Sequence, residues 1–261
     1  RESMAITTPA GSSRRDFIRL TGTLGVAAGL AVSLAACGGK GKTSGGAKAS
    51  GSAMATDQEV THKDGVITAG ISYELGTNGY DPMTTSSALT VAANWHTLEG
   101  LTELHPATRE VYAALASEMP KKVDDTTYEV ALRKDAKFSD GAAVTADDVV
   151  FSFTRVLDPA NKSLYSQFLP FIDKVEAKDT STVTIKLKYA FSLVAERLSV
   201  VKIVPKAIVE ADAKAFDMSP TGSGPYKMTD NGAASQKIVF ERNDSYNGPR
   251  PALAKSMTWQ V

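Results

Sequence analysis

The sequence predicts a mixed α/β protein of the α+β kind, and three features of residues 60–261 carry that prediction. Short alternating runs of strand type are interleaved with stretches of helical period. Hairpin-like pairs of runs stand beside strand–helix alternation, which favours a mixed sheet over a purely doubly wound one. Nothing repeats at a fixed period, so solenoids and propellers are not indicated. At 261 residues the chain can bury a substantial core and hold one or two domains. Lys+Arg and Asp+Glu balance at 29 each, so no global charge argues for a nucleic-acid partner. Without residues 1–36 the balance is 25 basic against 27 acidic, a formal charge of −2, which implies only a mildly acidic surface.

Residues 1–36 read as a targeting segment. Ser13-Arg14-Arg15-Asp16-Phe17-Ile18-Arg19 sets paired arginines before an uncharged stretch from Leu20 to Ala36. A spanning helix wants about 20 predominantly apolar residues, and this stretch is short and diluted by Gly22, Gly25, Gly29 and Ser33. A surface amphipathic helix would carry charge on one face, and this one carries none. A cleaved signal peptide fits both facts. The segment resembles a twin-arginine export signal, with Arg14 and Arg15 as the pair and Ile18-Arg19 where that signal usually has Leu-Lys. The resemblance implies export of an already folded protein. Met4 is the expected start of translation, with Arg1, Glu2 and Ser3 ahead of it as an artefact.

Leu34-Ala35-Ala36-Cys37-Gly38 is similar to a bacterial lipobox, which implies a diacylglycerol on Cys37 and a protein held outside the cytoplasm on the cell membrane. The alternative is a buried free cysteine, but Cys37 falls where the uncharged run gives way to a polar, glycine-rich tract. A lone cysteine also cannot close an internal disulfide. Two or more acyl chains would anchor the protein stably. Residues 37–59 are rich in Gly, Ser, Ala and Lys and cannot bury enough surface to order themselves, so they read as a flexible tether.

The folded part follows in order. Val66 to Ile71 reads as a strand, ended by the turn-rich Gly76-Thr77-Asn78-Gly79 and then Tyr80-Asp81-Pro82. Ala88, Val91, Ala92, Trp95 and Leu98 recur at helical spacing, with Gly100 as the stop. Tyr128, Val130 and Leu132 alternate with Glu129, Ala131 and Arg133, as in a half-buried strand. Thr145 can cap a helix whose first turn holds Asp147 and Asp148, where the helix dipole favours anions. Val149, Val150, Phe153, Val156 and Leu157 give that helix its apolar face, and Pro159 stops it. Residues 171–188 read as a hairpin turning at Asp179-Thr180-Ser181. Val200 to Val204, Gln236 to Glu241 and Met257 to Val261 are further strand candidates.

Several of these segments together resemble the extracellular solute-binding proteins of family 5. Tyr80-Asp81-Pro82 is similar to the family's Leu-Asp-Pro after the first strand, and Leu98-Glu99-Gly100-Leu101 to its Glu-Gly-Leu. The stretch from Leu132 to Gly141, with Phe138-Ser139-Asp140-Gly141, leads into Val144-Thr145-Ala146-Asp147-Asp148-Val149, as in the family's most recognisable segment. Gly222-Ser223-Gly224-Pro225-Tyr226 resembles its Gly-Thr-Gly-Pro-Tyr, and Arg242-Asn243-Asp244-Ser245-Tyr246 its Arg-Asn-x-x-Tyr. Asp140-Gly141 is a turn dipeptide, and the glycines around Ser223 are expected to supply unusual dihedrals. A phosphate loop is disfavoured there, since Pro225 removes an amide and no Gly-Lys-Ser/Thr follows.

The resemblance implies a periplasmic-binding-protein-like type II fold that closes on its solute and passes it to an ABC permease. Oligopeptide is the favoured solute, with a nickel complex or a sugar as alternatives, and no cofactor is implied. Family members are longer. By analogy residues 60–261 hold lobe I with its small sub-domain, while lobe II and the return strands of lobe I are absent. Tyr73 and Glu74 follow the first strand, near the family's cleft, and Trp95 lies near a helix end, so these three are the ligand-binding candidates. Tyr73 offers an aromatic face and a hydroxyl, and Glu74 an acceptor for an ammonium. A solvated loop explains Tyr73 and Glu74 equally well, and a core position suits Trp95.

Other chemistries find little material. His62, His96 and His105 show no metal-ligand spacing, so no metal site is expected. Neither Gly-x-Ser-x-Gly nor His-Glu-x-x-His occurs, and the only cysteine is taken by the anchor, so no hydrolase is expected. Asp124-Asp125 and Asp147-Asp148 are neighbours that point different ways and read as turn and helix-start chemistry. A lipoprotein acting through partner proteins remains a further alternative.

Overall fold

The structure is a computed structural model that describes residues 64–72 and 79–261. In chain order its elements begin with β1 (Val66–Gly70), α1 (Ala88–Thr97), β2 (Thr102–Leu104), β3 (Val111–Ala113), β4 (Lys121–Asp124) and β5 (Thr127–Ala131). They continue with α2 (Ala146–Leu157), β6 (Ile172–Asp179), β7 (Thr182–Leu187), α3 (Val194–Leu198), α4 (Lys206–Ala211) and α5 (Ala213–Met218). β8 (Tyr226–Asn231), β9 (Lys237–Arg242) and β10 (Ser256–Gln260) complete the order.

Among the described residues these strands form three sheets. One is mixed, in the order β1-β10-β9-β8, with β1 parallel to β10 and the other pairs antiparallel. A second pairs β2 with β3, and the third is an antiparallel sheet in the order β4-β5-β7-β6. Each four-stranded sheet owns a core. Val149, Phe153 and Val156 of α2 pack with Val130, Val175, Val183 and Ile185 of the antiparallel sheet. Leu89 and Ala93 of α1 pack with Met228, Ile238, Phe240, Met257 and Trp259 of the mixed sheet.

The helix start at Thr145 forms as its sequence indicates. The Asp148 carboxylate accepts from the Thr145 backbone N–H at 2.9 Å and from its hydroxyl at 2.8 Å, closing a capping box. Its other oxygen accepts from the Lys206 N–H at 2.9 Å and so ties the start of α4 to the same group. The turn at Asp140-Gly141 is also present, with Gly141 at φ +94°.

Three expectations give way. The strand expected at Val200–Val204 is instead a buried irregular segment. Its amides are met singly, Ile203 N–H by the Glu99 carbonyl at 2.9 Å and Val204 N–H by the Ser152 hydroxyl at 3.0 Å, so no ladder forms. Helix α1 ends at Thr97 and is capped at Leu98, short of Gly100. Gly222 and Gly224 are not at positive φ. A Cβ on Gly222 would collide with the Thr97 carbonyl and the Leu98 side chain, and one on Gly224 would come within 2.6 Å of the His96 carbonyl. Close approach of two backbones, not an unusual dihedral, requires these glycines.

Asp148 satisfies three donors while Asp147 is exposed. Asp148→Ala is therefore expected to lower unfolding free energy by about 2–3 kcal/mol, and Asp147→Ala by no more than about 0.5 kcal/mol. Urea titration of the two variants checks this. Equal losses would mean the dipole, not the capping box, holds the helix start.

Candidate functional site

Helix α1 departs from the usual arrangement of an amphipathic helix, with polar residues on its inner face and apolar ones on its outer face. Its inner face carries Leu89 and Ala93 but also Thr90, Asn94 and Thr97, all buried. The donors of these polar groups are met locally: the Asn94 amide donates to the Tyr80 carbonyl at 2.7 Å, Thr90 to the Ser87 carbonyl at 3.1 Å, and Thr97 to the Ala93 carbonyl at 3.4 Å, while Asn94 Oδ1 is buried without a partner among the described residues. The apolar residues that mark the helical period, Ala88, Val91 and Ala92, face outward, with Val91 43% exposed. Trp95, one turn beyond Val91, is half-buried on the same side. Within α1 the face that this period marks is the outer one, whereas Leu98, its last member, lies just past the helix end and is fully buried.

Trp95 is held by a cation. The Arg250 guanidinium lies 3.9 Å from the indole centroid, close enough for a cation–π attraction. Arg250 is 6% exposed, and its backbone N–H donates to the Tyr246 hydroxyl at 3.2 Å. The next residue, His96, has its ring among Trp95, Tyr226, Phe240 and Trp259, with centroids 5.1–5.9 Å away. Burial, and then the Arg250 charge, lower the His96 pKa to about 4.

Immediately past α1 stands Glu99, with no exposed surface. Its carboxylate accepts from Arg133 at 3.1 and 3.3 Å, from the Ser223 hydroxyl at 3.0 Å and from the Tyr246 hydroxyl at 2.9 Å. Burial, and then Glu99, hold the Tyr246 phenol well above its usual range. Arg133 further donates to the Ala114 carbonyl and, through Nε, to Asn247 at 2.9 Å. Glu103, next along the chain, accepts from the Gly100 N–H at 2.9 Å and pairs with Lys202.

The residues singled out from sequence fare differently. Tyr73, Glu74, Cys37, Arg14, Arg15 and His62 lie outside the described residues. Trp95 is placed on the outward face of α1, neither fully core nor free. His105 uses its Nδ1 to accept from Ala107 and Thr108 within a turn. Among the described residues no three His, Cys, Asp or Glu side chains gather as metal ligands. Sequence reasoning missed Arg250, for which the sequence holds no signal, because Gly-Pro-Arg-Pro reads only as a loop.

Residues 110–261 match the family described as bacterial extracellular solute-binding proteins, family 5 Middle. The chain is 34% identical over 156 residues to Protein XP55 of Streptomyces lividans, covering 58% of this chain and 28% of that protein. It is 28% identical over 200 residues to the glutathione-binding protein GsiB of Escherichia coli (strain K12), covering 76% of this chain and 38% of that one. The fold matches that of the oligopeptide-binding protein AppA of Bacillus subtilis in complex with a nonapeptide, with a TM-score of 0.67 and 27% identity. That match covers 76% of this chain and 40% of AppA. The chain thus spans about two-fifths or less of the length of these proteins.

His96 gives the region a pH signature. An unfolded histidine takes up a proton near 6.5, whereas His96 in the folded state resists it until about 4. Its contribution is complete above pH 6.5 and is lost as pH falls towards 4, because only the unfolded state gains the proton in that window. Stability measured by urea at pH 7 and pH 4.5 should drop by about 2 kcal/mol more in the parent than in His96→Phe. Identical drops would show that His96 is not buried in its neutral form.

Proposed function

Because the chain belongs to the family 5 extracellular solute-binding proteins, a family of binding proteins and not of enzymes, we propose that it captures short peptides for an ABC importer. The observation that carries this reading is the outward apolar stripe of α1, closed by Trp95 under Arg250. A helix that packs Leu89 and Ala93 on the sheet and still leaves Ala88, Val91 and Ala92 on an outer face has an apolar surface for something else to cover. A backed indole is a suitable wall for peptide side chains. Relatives named for glutathione, itself a tripeptide, and for oligopeptides support the same solute class.

In this reading residues 60–261 supply lobe I. The mixed sheet with α1 is its main body, and the antiparallel sheet with α2 is its small sub-domain. Tyr73 and Glu74, which follow β1, join Trp95 at the cleft. Solute is gripped only when a second lobe closes on it, and the free energy of closure comes from contacts with both lobes. Lobe II is not among the described residues. Arg14 and Arg15 direct export, residues 37–59 form the tether, and a lipid on Cys37 holds the protein at the outer face of the membrane, where the permease can receive the solute.

Calorimetric titration with a mixed oligopeptide pool tests the capture role. Residues 60–261 alone should bind weakly or undetectably, and the same chain extended through a second lobe should bind. In the extended protein, Trp95→Ala and Tyr73→Ala should each raise Kd by about tenfold. Micromolar binding by residues 60–261 alone would instead make them a self-sufficient module, and an unaltered Kd in both variants would remove the site.

The anchor is tested separately. Cys37→Ala should abolish incorporation of labelled fatty acid and release the protein from membranes, because one thioether-linked lipid is the only anchor proposed. Labelling that survives the substitution would overturn it.

A further inference from the structure

The outer edges of the two four-stranded sheets are β1 and β8 in the mixed sheet and β4 and β6 in the antiparallel one. Three of these strands carry the devices that keep a sheet edge from pairing with another chain. β4 holds Lys121 and Lys122, and its register shifts between Lys122 and Asp124. β6 holds Lys174 and Lys178 and shifts twice, and β8 holds Lys227 and Asp230 and shifts between Met228 and Asp230. β1 has no such device. Val66-Ile67-Thr68-Ala69-Gly70 carries neither charge nor proline and pairs with β10 in unbroken register. Val66 is 67% exposed and Ile67 48%. Successive side chains of a strand point to opposite faces, so both faces are open at this edge.

The backbone of β1 is open there too. The Ile71 N–H donates to the Gln260 carbonyl at 2.7 Å, and the Gly65 carbonyl accepts from the Lys255 N–H at 2.9 Å. The odd-numbered residues of β1 therefore turn their backbone groups towards β10, and Val66, Thr68 and Gly70 turn theirs away from the sheet. This outward set is symmetric about Thr68. A second β1 laid antiparallel across it sets Thr68 opposite Thr68 and Val66 opposite Gly70, and every outward N–H meets an outward carbonyl. The same register puts Ile67 opposite Ala69 of the second copy, on the face that packs against the core of the mixed sheet. No charge on β1 opposes the pairing. A Cβ on Gly70 would meet nothing within 4 Å, so the end of the strand is unobstructed. The blunted edge at β8 keeps the sheet from adding further copies, so the assembly closes as a dimer.

We infer that β1 is a docking edge for a second copy of this chain, joined antiparallel about Thr68. Water already meets the outward groups in the single chain, so the gain comes mainly from covering Ile67 and Val66. Five residues a side make an interface below the standard size, and the dimer is weak, with a dissociation constant of about 100 µM. The edge stands on the strand's own geometry and does not depend on the transport reading.

The test is sedimentation equilibrium of the full chain, with amide exchange followed by NMR. Between about 10 µM and about 1 mM the mass should approach twice the monomer's, and exchange at Val66, Thr68 and Gly70 should slow about fourfold. Ala69 and Ile71, already turned towards β10, should not respond. Thr68→Pro removes one outward N–H and no bond to β10, and Thr68→Lys sets two like charges face to face. Both variants should stay monomeric at about 1 mM. Four results overturn the inference: a monomer throughout with fast exchange at the three outward amides; a monomer in which they are already protected, which would mean that the chain's own segment covers the edge; growth beyond the dimer; or a dimer unchanged in both variants.

Discussion

Glu99 has no exposed surface, yet its carboxylate collects two bonds from Arg133, one from Ser223 and one from Tyr246. An ion pair taken out of water loses much of its hydration, and its attraction offsets that loss only if the remaining lone pairs are also met. Here Ser223 and Tyr246 meet them. A buried pair that loses one partner costs about 3–5 kcal/mol, so these four side chains are constrained to occur together. They arrive from the end of α1, the end of β5, the loop before β8 and the loop after β9. One carboxylate thereby fixes where four otherwise separate chain segments meet.

The consequence is positional. Ser223 can reach Glu99 only if its loop lies against the last turn of α1, and that approach leaves no room for a Cβ at Gly222 or Gly224. Asn243 secures the same loop from the other side, donating to the Gly224 carbonyl at 3.0 Å while its own backbone N–H reaches the Pro225 carbonyl at 2.8 Å. Tyr246 carries the chain onward to Arg250, whose guanidinium backs Trp95. The orientation of the indole thus depends, through two intermediate residues, on a carboxylate that never touches it. A second buried pair, Arg155 with Asp81, links α2 of one core to the turn before α1 of the other. The two cores are therefore tied at both ends of the helix that carries the candidate site.

Much of this fold was legible in the residue order. Local signals specified α2 and its start, because Thr145 and Asp148 satisfy each other within one turn. The hairpin of β6 and β7 followed from alternation around Asp179-Thr180-Ser181, and β1, β9 and β10 lie within a residue of their expected bounds. What failed did so because a tertiary partner decided it. Val200–Val204 has the apolar run of a strand, but Glu99 and Ser152 claim its amides one by one. Helix α1 was placed correctly, yet its buried face could not be read from apolar period, since the Tyr80 carbonyl that accepts from the buried Asn94 amide comes from outside the helix. Glu99, Arg133, Ser223 and Tyr246 each fall in a segment that resembles the family. Their convergence on one carboxylate is a property of the assembled fold and has no trace in spacing.

The outward apolar residues of α1 and the buried Arg250, whose Nη2 has no acceptor among the described residues, have a common physical reading. A folded chain that optimised only its own stability would bury Val91 and would pair Arg250 with a carboxylate, because both changes recover free energy that the present arrangement forgoes. Both departures lie around Trp95, while on the inner side of the same helix every polar side chain makes a hydrogen bond and Asn94 Oδ1 alone is left without a partner. Local departures from stability that cluster in one place are expected where a surface is kept ready for another molecule. The Glu99 network supplies the rigidity such a surface requires, since an indole backed by a fixed guanidinium presents the same face before and after contact and loses little conformational entropy when it binds. The stable half of α1 therefore serves the unsatisfied half.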